Sequence, residues 1–124
     1  MKQEYIEQIL EEIKKIKERD LLVIVEGKKD KQAIENLGIT KIEVLSKIPL
    51  YKVIENVAEK TKEVVILTDM DKKGKELYHR LMAGLQKHGV KINNKLRELL
   101  FRAKVSHVEG LEKAIKSTEF SNSF

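Results

Sequence analysis

The chain has 124 residues, a net formal charge of +5 and no cysteine. That length suits one domain with a real core and no need of disulfides. The composition excludes thiol nucleophiles and cysteine-based zinc sites, and 41% hydrophobic with 36% charged residues excludes a disordered chain.

The opening Met1-Lys2-Gln3-Glu4 is charged and has no signal-peptide pattern, so a cytoplasmic protein is expected. Residues 3–19 carry Ile6, Ile9, Leu10, Ile13 and Ile16 at three- and four-residue steps, which predicts an amphipathic helix closed by Asp20. Leu21 to Val25 is a short unbroken apolar run and reads as a strand buried on both faces. Asp30 is expected to cap a helix over 31–36 that Gly38 ends. A second strand is expected at 42–45, then a helix over 49–60 opened by Pro49. Val64 to Leu67 is a third buried strand, followed by a long helix over 73–88 with Leu77, Leu81 and Leu85 on one stripe. A short helix over 94–103, a fourth strand from Val105 to Val108 and a last helix over 111–116 complete the pattern.

Strands alternating with helices predict a parallel sheet covered on both faces, with right-handed crossovers. The expected fold is α/β: a Rossmann-like three-layer domain with a central, mainly parallel four-stranded sheet and an extra N-terminal helix. Residues 1–20 are then the added helix, 21–116 the domain and 117–124 a flexible tail. No apolar run approaches the ~18 residues that span a bilayer, so no membrane partner is expected.

Charge is unevenly placed. Residues 72–104 carry ten basic and two acidic groups, a net of +8, while 1–20, 21–71 and 105–124 each come to −1. The basic excess sits in one block, which suits either a polyanion such as nucleic acid or a solvated lysine-rich helix face.

In an open α/β sheet, ligands bind beyond the carboxyl ends of the strands. Glu26 and Gly27 follow the first strand, Asp69-Met70-Asp71 the third and Glu109 the expected fourth. If the first and third strands are neighbours, Glu26 and Asp69 leave the sheet ~4.8 Å apart. Two such charges repel by ~4 kcal/mol at 4 Å and an effective dielectric of 20. Magnesium would relieve that repulsion through carboxylate oxygens and leave room for phosphate. Asp69 and Asp71 also fit ordinary turn residues.

Val25-Glu26-Gly27-Lys28-Lys29-Asp30 and Thr68-Asp69-Met70-Asp71-Lys72-Lys73-Gly74 together resemble the motifs of the Toprim domain. That module is shared by topoisomerases, bacterial primases, OLD-type nucleases and small ribosomal-RNA maturases. The resemblance covers about residues 21–115 and is closest to the small standalone Toprim proteins of archaea and bacteria. It implies that Glu26 is the general acid or base of phosphodiester chemistry. It also implies that Asp69 and Asp71, with Glu26, hold Mg2+, for which Mn2+ could substitute. The function so implied is a small nuclease or RNA maturase; the alternative is a non-catalytic module that binds RNA or a ribonucleoprotein.

Other readings of these residues fit less well. Gly27-Lys28 lacks the earlier glycine of a P-loop, since Leu22 stands there. A haloacid-dehalogenase-type Asp-x-Asp normally follows the first strand, and a receiver domain needs a later lysine that has no equivalent here. Lys72, Lys75 and His79 fall near one helix face, and Lys28, Lys29 and Lys47 leave strand ends on the same side. All six are candidate contacts to RNA or DNA phosphates. Lys91, Lys95 and Arg97 offer a second basic face. Glu109 is a candidate for a second metal position, and His107 reads as structural. Tyr5, Tyr51 and Tyr78 read as packing residues. The Ile6-to-Ile16 stripe fits either the protein's own sheet or a second copy in a homodimer.

Overall fold

A computed structural model describes the backbone of residues 3–122 and the side chains of 3–116. In chain order the elements are α1 (Gln3–Arg19), β1 (Leu22–Val25), α2 (Lys28–Glu35), β2 (Ile42–Val44) and α3 (Leu50–Lys60). Then come β3 (Glu63–Ile66), α4 (Lys72–Lys87), β4 (Lys91–Asn93), α5 (Lys95–Arg102) and α6 (Val108–Asn122). The sheet is parallel throughout, in the order β2-β1-β3-β4. Chain order reverses between β1 and β3, so that boundary is the switch point where such sheets bind ligands.

Successive side chains of a strand point to opposite faces, and the core divides accordingly. Val23, Val25, Val65 and Leu67 pack on one face beneath α1, α2, α5 and α6. Leu22, Ile24, Val64 and Ile66 pack on the other beneath α3 and α4, against Val53, Val57, Leu81 and Leu85. Ile9, Ile13 and Ile16 of α1 are buried in the first cluster, and α1 lies against α5. The N-terminal stripe is therefore spent on the protein's own core.

Three expectations are corrected. Asp30 does not open its helix. Gly27 is the N-cap, and Asp30 sits three residues inside, reaching back to accept a hydrogen bond from Gly27 N at 3.1 Å. Val105 to Val108 is not a strand. Its approach to the sheet is a single hydrogen bond from Met70 N to Ser106 O (3.0 Å), and Val108 already begins α6. The fourth strand is instead Lys91-Ile92-Asn93, held on the edge by pairing with β3. Being only three residues long with one apolar side chain, it carries no periodic signal. The last helix also starts earlier than 111 and its backbone continues to Asn122; the side chains of the expected tail, and residues 123–124, lie outside the described residues.

Candidate metal site at the carboxyl edge of the sheet

The ladder fixes the acids before their side chains act. Beyond β1, Leu45 N donates to Val25 O and Ser46 N to Glu26 O, so β2 holds the Glu26 backbone. Beyond β3, Leu67 N donates to Ile24 O at 2.8 Å. Glu26 and Asp69 therefore emerge from neighbouring strands, and Glu26 Oε2 accepts a hydrogen bond from Asp69 N at 2.7 Å. Asp71 is the N-cap of α4, where its Oδ1 accepts from Gly74 N at 2.8 Å. His107 Nδ1 lies 3.3 Å from Asp69 Oδ2, brought there by the segment that passes Met70.

Gly74 is dictated by this loop. A Cβ there would stand 1.9 Å from the carbonyl oxygen of Asp69 and 2.6 Å from its carbon. No side chain fits, so the helix can start against the Asp69 backbone only with glycine at this position.

Beneath the loop lies a buried guanidinium. Arg97 is 8% exposed. Its Nη1 donates to Thr68 O (2.6 Å) and Thr68 Oγ1 (3.0 Å), and its Nη2 to Asp69 O (3.4 Å). Thr68 Oγ1 in turn donates to Gly74 O at 2.7 Å. The guanidinium carbon sits 4.4 Å from the centre of the Tyr78 ring, a cation–π contact. Arg97 thus ties α5 to the exit of β3 and the start of α4. It belongs to the frame of the site and is removed from the expected second basic face.

The acids press on one another. Burial raises the pKa of Glu26 above the ordinary carboxylate range; the Asp69 N–H opposes this, and the charges of Asp69, Asp71 and Asp30 reinforce it. Asp30 is raised for the same first reason, with Gly27 N–H opposing and Asp69 and Glu109 adding to the rise. Glu109 lies in the first turn of α6, exposed, near enough for its charge to be felt at Asp30. Burial also loosens the Arg97 proton, with Tyr78, Glu26 and Asp69 countering.

Of the six basic candidates, Lys28 and Lys29 occupy the first turn of α2, Lys47 the loop after β2 and Lys72 the first position of α4; all are exposed. Lys75 and His79 are exposed on α4 and line a cleft against α5. Asp30, Thr68, Arg97 and His107 are site neighbours that the sequence does not place in the site: Asp30 reads as a helix cap, Arg97 as part of a second basic face and His107 as structural. The Glu-Gly-x-x-Asp spacing held the signal for Asp30; Arg97 had none beyond its place at the edge of the α5 stripe.

A family model of the Toprim domain matches residues 20–94, more than half of the chain. The chain belongs to the Toprim domain family. Its relatives include the UPF0292 protein MJ1624 of Methanocaldococcus jannaschii, 34% identical over 113 residues that cover 88% of each chain. The UPF0292 protein PYRAB04740 of Pyrococcus abyssi is 38% identical over 101 residues, covering 81% of this chain and 76% of the relative. A solved structure from Aquifex aeolicus superposes with a TM-score of 0.75 at 26% identity, over 83% of this chain and 94% of that one. This Toprim domain therefore has a metal-dependent, nucleic-acid-related function, the coarse property of its family.

Toprim domains generally bind Mg2+, and the donors here are the hard carboxylate oxygens that ion takes. Among the described residues, no three His, Asp or Glu side chains surround a common point. Glu26 gives one oxygen to Asp69 N and Asp71 gives one to Gly74 N. The donor set fits an ion held by one or two carboxylates plus water and substrate phosphate, the usual manner of magnesium. It does not form a closed protein cage. No described helix is long and apolar enough to cross a membrane.

Proposed function

We propose that this Toprim protein carries out magnesium-dependent phosphodiester hydrolysis on nucleic acid, as a small nuclease of the maturase kind. The observation that carries the proposal is a cluster of acids at the sheet's switch point beside the +8 block. The charges of Asp69 and Asp71 are felt at Glu26 there, and none of the three has a Lys or Arg ion-pair partner among the described residues. Asp69 and Asp71 would hold the ion, which when bound supplies positive charge against the phosphoryl oxygens. Glu26 keeps Oε2 on the Asp69 N–H and has Oε1 to carry the proton that passes from water to the leaving oxygen. Its raised pKa brings it nearer the range where a carboxyl both takes and gives a proton. Lys72, Lys75 and His79 position flanking phosphates.

The test is cleavage of end-labelled structured RNA, single-stranded DNA and duplex DNA in Mg2+, Mn2+ or chelator. Cleavage that needs metal and falls ~10²-fold or more in Glu26→Gln is the expected result. The +8 block serves a second reading equally well, a non-catalytic RNA- or ribonucleoprotein-binding module. Retained binding with no cleavage at any metal concentration would establish that reading instead.

A further inference from the structure

A cleft lies between α4 and α5 and reaches Met70 in the loop after β3. It has a volume of about 510 Å³ and is walled by Lys75, Tyr78, His79, Arg97 and Phe101. A second hollow of about 430 Å³ continues it past Lys104 and Ser106. Met70, Phe101 and Arg102 line both, so the two form one groove. Met70 stands between Asp69 and Asp71, so the groove reaches the loop that carries the acids at Met70, while Glu26, Asp69 and Asp71 themselves lie outside its lining.

Among the described residues Ile48, Tyr51 and Phe101 are the exposed large hydrophobics, and of these three Phe101 lines the groove. Phe101 is 63% exposed at the end of α5, although its neighbours Leu99 and Leu100 are buried. Ordinary packing does not require it, and an exposed phenyl ring on a groove wall invites a flat partner. The rim around it carries three exposed cations, Lys75 on α4 and Arg102 and Lys104 after Phe101, with the His79 imidazole and one exposed acid, Glu98, beside them. A groove that joins one open aromatic face to a line of cations has the chemistry of a single-strand binding channel, in which bases stack and phosphates are neutralised. A duplex hides its base faces and has nothing to offer Phe101.

We propose that this groove binds an unpaired stretch of nucleic acid, with one base stacked on Phe101 and the adjoining phosphates on Lys75, Arg102 and Lys104. This deepens the proposed function by naming the substrate class as single-stranded or locally unpaired, and it rests on that reading. The strand would run along the groove and pass Met70, which delivers a phosphodiester to the acid loop.

The protein contains no tryptophan, so Phe101→Trp installs a single reporter at the stacking position. Binding is measured in chelator, which separates it from catalysis. The probes are fluorescent single-stranded oligo(U), oligo(dT) and a blunt-ended duplex, each titrated at low salt. The expected results are tighter binding of the single strands than of the duplex and, in Phe101→Trp, quenching of the indole emission by the single strands. Phe101→Ala should bind single strands about 5- to 100-fold more weakly, the loss of one stacked base. Phe101→Ala should leave duplex binding unchanged, and Phe101→Trp should retain the single-strand preference. An abasic site that costs the parent affinity but costs Phe101→Ala nothing would mark the stacked nucleotide. Unquenched indole emission from a bound Phe101→Trp complex, or unchanged affinity in Phe101→Ala, overturns the groove while leaving the nuclease reading to its cleavage assay. A dimer that Phe101→Ala dissociates also overturns it, because Phe101 would then be covered by a second copy. Equal strength on RNA and DNA arms supports stacking and phosphate contact alone; an RNA preference adds a contact to the 2′-hydroxyl.

Discussion

The two ends of the sheet treat acidic residues in opposite ways. At the amino end three acids have cationic partners. Glu63 is gripped by both Arg19 nitrogens at 2.9 and 2.8 Å, and Asp20 meets Lys41 at 2.9 Å. Glu43 lies 3.6 Å from Lys60. At the carboxyl end Glu26, Asp30 and Asp71 are held by backbone N–H groups, and Asp69 by His107. Arg19 lowers the pKa of Glu63, whereas burial raises those of Glu26 and Asp30. One end is neutralised for stability. The other keeps like charges together, a pattern that marks functional sites.

The largest effect that would break this contrast is steric. Gly74→Ala drives a methyl group into the Asp69 carbonyl, 1.9 Å away, with no flexible side chain to yield. The loop must shift or α4 must lose its first turn, at a cost of about 3 kcal/mol or more, the upper range for overpacking. Gly110→Ala in α6 meets only Val105 at 3.9 Å and should be neutral or stabilising by up to ~1 kcal/mol. Urea unfolding of both variants measures the difference. A harmless Gly74→Ala would mean that the carboxyl-edge loop is not built on this close approach.

Next is the cation beneath the loop. Arg97→Met keeps apolar volume but strips Thr68 O of its donor, and the variant should lose about 1–3 kcal/mol. Arg19→Met at the opposite end removes an exposed, solvent-screened grip on Glu63 and should cost clearly less than Arg97→Met. Equal losses would erase the distinction between a buried strut and a surface pair.

Metal sharpens the comparison further. On the proposed function, Mg2+ raises the melting temperature of the parent by mass action on the folded state. Asp69→Asn should barely respond, and without metal it should be as stable as the parent or more so, because repulsion is relieved. Asp71 needs a different variant, since it caps α4. Asp71→Asn keeps a capping oxygen while losing charge, and Asp71→Ala should cost ~0.5–2 kcal/mol with or without metal. Differential scanning fluorimetry in Mg2+ and in chelator reads all of these. A parent indifferent to Mg2+ together with a destabilised Asp69→Asn would make the aspartates turn residues.

Much of this design was legible in the sequence, for identifiable reasons. The apolar runs at β1 and β3 and the stripe of α1 are strong periodic signals, and they placed Glu26, Asp69 and Asp71 at adjacent strand exits. The three-residue β4 was not legible, because an edge strand that is stabilised by pairing needs little hydrophobicity of its own. Val105 and Val108 mimicked a strand instead. Arg97 was illegible because a guanidinium on an amphipathic helix reads as solvated. Only the tertiary meeting of α5 with the Thr68 and Asp69 carbonyls buries it. Gly74 was visible as a motif residue, but its reason, a close approach to the Asp69 backbone, is three-dimensional.

The smallest effects are the pH dependences, and their signs oppose each other. A carboxyl with a lowered pKa lends stability that is present above its unfolded value and lost as pH falls through the folded one. Glu63 is of this kind, so Glu63→Gln should be less stable than the parent at pH 7, with the gap closing below about pH 4. A raised carboxyl does the reverse. Its favourable contribution is complete below the unfolded pKa and is lost as pH rises through the raised value. Glu26→Gln in chelator should therefore match the parent near pH 3–4 and become the more stable protein toward pH 7. The substituted amide keeps an oxygen to accept the Asp69 N–H, so the comparison isolates charge. Each difference should stay below about 1 kcal/mol, because both carboxyls are partly solvated. Denaturant midpoints across pH 3–8 give two curves of opposite slope. Adding Mg2+ should pull the Glu26→Gln advantage down at neutral pH, because the ion stabilises the carboxylate form that only the parent possesses. Parallel slopes would show that the carboxyl edge is as well compensated as the amino edge, and the crowding of acids there would lose its meaning as a site.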